Sequence, residues 1–121
     1  MPHAHILTAV LAALTLSSSL ACDPQCEERA DDAQLYVERI VGTNQRCIED
    51  QDCMVMHLTT QCGAFCAASV AVTGEAAVTE ALNYADESWC ADGASLGCIV
   101  DGTPCPAVGA PYCDGGTCAL R

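Results

Sequence analysis

Cysteine is the residue type in this chain best suited to chemistry, and there are eleven in 121 residues. Paired thiols offer two kinds of chemistry, disulfide bonding and soft-metal ligation. Their spacing separates the two. No C-x-x-C occurs anywhere, so the usual thioredoxin-type redox motif is missing. Cys22/Cys26, Cys62/Cys66 and Cys113/Cys118 meet only the loose spacing of a structural zinc site, and a single His, His57, lies beyond residue 21. The reading is therefore a disulfide framework, with no metal and no cofactor. Ten cysteines form its candidate set: Cys26, Cys47, Cys53, Cys62, Cys66, Cys90, Cys98, Cys105, Cys113 and Cys118. Their connectivity stays open among about 945 pairings. Local geometry removes those that join Cys62 to Cys66, because on an extended strand these two stand about 13 Å apart, too far to bond. Cys113 and Cys118 flank a turn and are expected to face each other.

Other candidate chemistries fail on context. Gly93-Ala94-Ser95-Leu96-Gly97 has the G-x-S-x-G form, but no His follows Ser95 to serve as its base. His57 has no identifiable nucleophile or orienting acid, and reads as a strand side chain at the surface. Glu49-Asp50-Gln51-Asp52 is acidic enough for calcium. Counted from Asp50, however, the sixth and twelfth loop positions are Val55 and Gln61, not Gly and Glu. It reads as a solvated turn. No catalytic set emerges, and the expectation is a protein that is not an enzyme.

Charge and size narrow the classes further. Sixteen acidic residues against four Arg give a formal charge of -12. That balance disfavours nucleic acid as a partner and does not suit direct binding of anionic lipid. A chain this short builds only a small core, with one Trp and one Phe to fill it.

The elements that must hold the cysteines are partly legible. Asp23-Pro24 opens a helix, and Ala33, Tyr36, Val37 and Ile40 recur at helical spacing, giving a helix over about 24–41 that Gly42 stops. Residues 53–58 (CMVMHL) read as a strand. Residues 65–72 (FCAASVAV) also read as a strand, with a helix as the alternative because of their alanines. Val78, Ala81, Leu82, Ala85 and Trp89 form the buried face of a second helix over about 74–89. Residues 96–100 are a further candidate strand, and Asp114-Gly115-Gly116 has hairpin-turn chemistry. The expected fold is α+β, with two helices against a small antiparallel sheet and a single cysteine-rich domain over 22–121.

Residues 6–16 (ILTAVLAALTL), followed by three serines, have the form of a secretory leader ending at residue 21. Ser19-Leu20-Ala21 suits signal peptidase. Leu20-Ala21-Cys22 resembles a bacterial lipobox, which makes Cys22 a lipidation site and the membrane a partner through its acyl chains. Parity favours the lipobox, since eleven cysteines less Cys22 leave an even ten. Plain secretion is the alternative. The expected location is the bacterial cell envelope or the exterior.

Two resemblances follow from these residues. Cys47-Ile48-Glu49-Asp50-Gln51-Asp52-Cys53 resembles the C-x5-C element of whey-acidic-protein four-disulfide modules, although their adjacent Cys-Cys pair is absent. This resemblance implies a protease inhibitor, with residues 102–110 (GTPCPAVGA) as the candidate loop. The fuller pattern comprises the leader, C-x5-C, C-x3-C, a helix and the Cys113-Asp-Gly-Gly-Thr-Cys118 turn. It is similar to small cysteine-rich exported proteins and lipoproteins of bacteria of unknown function. That likeness implies an exported, non-enzymatic domain that binds an unidentified protein or small molecule, or serves structure.

Overall fold

The computed structural model describes residues 24–91 and 105–121. The candidate strand at 96–100, the Gly93–Gly97 stretch, Cys22 and Cys98 lie outside them. The architecture is α+β. Two helices, α1 (Pro24–Thr43) and α2 (Glu75–Ala85), accompany two antiparallel hairpins. One hairpin is β1 (Cys53–Thr60) with β2 (Gly63–Ala71); the other is β3 (Pro111–Asp114) with β4 (Thr117–Leu120). The expected single sheet is thus two separate two-stranded sheets.

In α1 the apolar stripe Cys26, Ala33, Val37 and Val41 is buried, at the spacing that puts side chains on one helix face. Gly42 does not stop this helix, which runs on to Thr43. Asn44 ends it. The Asn44 backbone N–H donates to the Val41 carbonyl at 2.9 Å, and its side-chain amide donates to the Ile40 carbonyl at 2.8 Å. Two of the carbonyls that every helix leaves orphaned at its C-terminus are thereby satisfied.

The Ala-rich segment is a strand. It pairs residue by residue with β1, from Cys53 opposite Ala71 to Thr60 opposite Gly63. Small side chains suit that strand because α1 packs against it. The register slips between His57 and Thr59, where Phe65 and Cys66 together oppose Leu58. Cys66 sits there at φ +66°. A β-bulge of this kind bends a strand and re-aims the extra side chain. The second helix is shorter than its apolar pattern implies, because beyond Ala85 the chain widens into a single π turn, Asp86–Cys90. Asp86, at the start of that turn, accepts a hydrogen bond from the Gln61 N–H at 2.6 Å and so ties it to the β1–β2 turn.

The main core joins Ala33, Val37 and Val41 of α1 to Leu58 of β1, Val70 of β2, Val78 and Ala85 of α2, and the sulfurs of Cys62 and Cys90. Its largest fully buried side chains are valines and Cys90. Tyr36, Tyr84 and Trp89 close its edge, with ring centroids 5.1–5.8 Å apart. A second, smaller cluster consists of Cys53, Ala71 and Cys118, flanked by Cys47 and Cys113. Sulfur does there what larger apolar side chains do in bigger domains.

Candidate functional site

Four disulfides join the described elements: Cys47–Cys113, Cys53–Cys118, Cys62–Cys90 and Cys66–Cys105. Cys26 is disulfide-bonded as well. The expected Cys113–Cys118 bridge is not formed. These two residues do oppose each other across the β3–β4 ladder, but each bonds a cysteine at or before the start of β1. The reason lies in which way the hairpin faces. The Cys113 N–H donates outward to Asp50 Oδ1 at 2.9 Å, and the Cys118 N–H donates outward to the Gln45 carbonyl at 2.7 Å. With both N–H groups turned away from the ladder, the pair is a non-hydrogen-bonded one whose side chains share a face. That face lies against Cys47 and Cys53.

The hairpin that presents the two cysteines is built by its turn. Gly115 and Gly116 have φ +57° and +93°. Positive φ at both central residues is what a two-residue turn of the type I′ class requires. The strand segment after α1 then completes the frame. Arg46 forms a β-bridge with Thr117, the Cys47 N–H donates to the Gly116 carbonyl at 3.1 Å, and the Gln45 side chain donates to the Ser69 carbonyl at 2.9 Å. Residues 44–47 thereby stitch β2 to β4.

The acidic run Glu49–Asp52 is more than a solvated turn. Asp50–Asp52 form a short 3-10 turn. The Asp52 carboxylate accepts from the Glu49 and Ile48 N–H groups at 2.9 and 2.8 Å, and these two bonds hold its pKa below the ordinary aspartate value. Asp50 accepts from Cys113 and lies 3.6 Å from the Arg121 guanidinium, an exposed pair. Two of the three carboxylates, Asp50 and Asp52, are therefore built into the hydrogen bonding of the frame.

Between this turn, the β2–α2 connection and the Gly115-Gly116 turn lies an open cleft of about 990 Å³. Arg46, Ile48, Val72 and Thr73 line it, with Thr117 beside the glycines. Ile48 is 90% exposed and Val72 49% exposed, while Arg46 makes no ion pair among the described residues. A cleft that combines a cation, the Asp52 carboxylate, two threonine hydroxyls and two exposed apolar groups can bind. Sequence reasoning passed over these residues as a binding site, although an isoleucine just before an acidic run, two residues after one of only four arginines, was a readable signal.

His57 stands exposed on β1 and does not line the cleft. A smaller cavity of about 350 Å³ lies between the start of α1 and the β1–β2 turn, with Glu27, Asp31 and Phe65 among its walls. The sulfurs of Cys47, Cys53 and Cys118 lie within 4.8 Å of one another, the spacing of a metal cluster. All three are in disulfides, and a disulfide sulfur is not the thiolate that zinc takes. Of the candidate loop, Cys105 to Val108 and Ala110 are exposed, and Cys66–Cys105 anchors one end. At the other end the backbones of Ala110 and Arg121 exchange two hydrogen bonds, of 3.0 and 3.1 Å. The chain is a disulfide-stabilised module of α+β architecture, and it matches no protein-family model, no curated protein and no solved structure.

Proposed function

We propose that this chain is a non-enzymatic, exported binding domain, held at the bacterial cell envelope by lipid on Cys22. One observation carries the reading: two adjacent bridges span 66 and 65 residues and weld the C-terminal hairpin to the body of the protein. Bridges of that kind persist in oxidising compartments such as the periplasm or the exterior, and are rare where thiols are kept reduced. The apolar run at 6–16 and the Leu20-Ala21-Cys22 sequence support the same route. Acyl chains on Cys22 supply the membrane attachment, since two or more chains anchor stably. The ligand is an unidentified protein or small molecule with an apolar group for Ile48 and Val72 and an acceptor for Arg46. Nucleic acid does not fit a surface of charge -12.

Intact mass of the protein from its native source, before and after reduction and alkylation, tests the reading. The expected result is a chain that begins at Cys22, carries acyl groups and has its remaining ten cysteines closed. Ten free thiols, or a leader still attached, would overturn it.

The exposed loop supports a second reading, a secreted protease inhibitor. Residues 105–110 are fixed at both ends, as a loop must be to resist cleavage in a protease cleft. Failure to inhibit any member of a broad protease panel removes this reading and leaves the first intact.

A further inference from the structure

We infer that Cys47, Cys53, Cys113 and Cys118 form a thiol–disulfide exchange site. A thiolate from outside converts its two long-range bridges into two local ones. Three observations carry this. The sulfurs of Cys47, Cys53 and Cys118 lie within 4.8 Å of one another, and Cys113 is bonded to the first of them. The outer bridge is reachable: Cys47 and Cys113 are half-buried, whereas Cys53 and Cys118 are 7% and 3% exposed. Finally, an alternative pairing is already in register. Cys113 and Cys118 are direct cross-strand neighbours sharing one face, and Cys47 and Cys53 are joined by only five residues.

The reaction balances without a net oxidant or reductant. An external thiolate attacks Cys113 Sγ, forming a mixed disulfide and releasing the Cys47 thiolate. That thiolate attacks Cys53 Sγ, forming Cys47–Cys53 and releasing the Cys118 thiolate. The Cys118 thiolate attacks Cys113 Sγ in the mixed disulfide, forming Cys113–Cys118 and expelling the original thiolate. Three sulfur–sulfur bonds form and three break, and the attacking thiol is recovered. Such exchange proceeds by thiolate attack through a mixed disulfide and depends on access to the sulfur attacked. The partner is therefore a thiol, free or on a protein. The consequence is mechanical. In the long-range isomer the hairpin is welded to β1 and to the segment before it, and in the local isomer only non-covalent contacts hold it there. The cleft between Arg46 and Gly116 has one wall on each side of that weld.

The test treats the oxidised protein with cysteamine at mildly alkaline pH, quenches with acid and digests without reduction, using chymotrypsin together with a protease that cuts after acidic residues. Cleavage within Glu49–Asp52 separates Cys47 from Cys53, and cleavage after Asp114 separates Cys113 from Cys118. Cleavage after Leu58, Phe65 and Tyr112 separates Cys53 from Cys62, Cys62 from Cys66 and Cys105 from Cys113. The expected result is the appearance of Cys47–Cys53 and Cys113–Cys118 linked peptides at unchanged intact mass. The Cys62–Cys90 and Cys66–Cys105 peptides hold their starting level. Absence of the local pairs, or their appearance only together with scrambling of Cys62, Cys66, Cys90 and Cys105, would overturn the inference. The outcome does not depend on lipid or ligand.

Discussion

Removing Cys47–Cys113 as a Cys47→Ala/Cys113→Ala pair tests how the bridges share their work. A bridge constrains the unfolded chain by closing a loop, and a separation of 66 residues taken alone corresponds to about 4.3 kcal/mol at 25 °C. This bridge does not act alone. While Cys53–Cys118 is intact, six residues on one side and five on the other separate the two bridges, so Cys47–Cys113 closes a loop of only about eleven residues, worth about 2.8 kcal/mol. The same holds with the bridges exchanged. If both are removed, the innermost remaining link is Cys66–Cys105. The first bridge to be restored then closes about 26 residues and returns about 3.5 kcal/mol. The expected losses are thus about 2.8 kcal/mol for the outer pair and about 6.3 kcal/mol for all four alanines. The second figure reaches the range of a whole domain's net stability, so the four-alanine protein melts near ambient temperature. Urea unfolding followed by far-ultraviolet circular dichroism measures each loss, with Trp89 fluorescence as an independent probe. A loss of 4 kcal/mol or more for the outer pair alone would refute the reasoning, because it would mean that the neighbouring bridge does not shorten the loop.

Four further substitutions probe the frame. Asp52→Asn removes a carboxylate whose folded pKa two backbone donors depress. A group of that kind stabilises the fold above its unfolded value, about 3.9, and ceases to do so as pH falls through the folded value. Urea midpoints of the native chain should therefore drop more steeply below about pH 4 than those of the variant, and parallel curves would contradict this. Gly74→Ala places a Cβ 2.6 Å from Asn44 Cβ and should cost about 1–3 kcal/mol, whereas Gly42→Ala meets nothing within 4 Å and should gain up to about 1 kcal/mol from helix propensity. Thermal melts of the two variants should therefore shift in opposite directions. Ser69 Oγ is buried with no hydrogen-bond partner, so Ser69→Ala should raise the urea midpoint by about 1 kcal/mol in equivalent stability, and a loss of stability would count against an unpaired hydroxyl there.

What the sequence made legible, and what it hid, follows from the range of the interactions involved. The two helices were readable because Ala33, Tyr36, Val37 and Ile40, and then Val78, Ala81, Leu82 and Ala85, repeat at the helical period, a local property of the chain. Local reading erred by a turn or so at their ends. Asn44 rather than Gly42 satisfies the last carbonyls of α1, and the tie from Asp86 to Gln61 marks where α2 gives way to a π turn. The second strand was ambiguous because alanine suits helix and packed strand alike, and the pairing with β1 that decides the matter is not local. The bulge at Cys66 was hidden for a related reason: a left-handed cysteine carries none of the signal that a glycine there would. Pairing of the cysteines was the least legible feature. Turn chemistry at Gly115-Gly116 correctly put Cys113 opposite Cys118, and proximity then suggested a bond between them. Two cysteines on one face of a hairpin can equally well each reach across to a second segment. They do so here because Asp50 and Gln45 take the outward N–H groups and hold that segment alongside. Adjacency in the ladder therefore bears on which bonds are reachable, and the packing of residues 44–53 decides which are made. The cleft is a product of that same packing, and so it too could not be read from either segment alone.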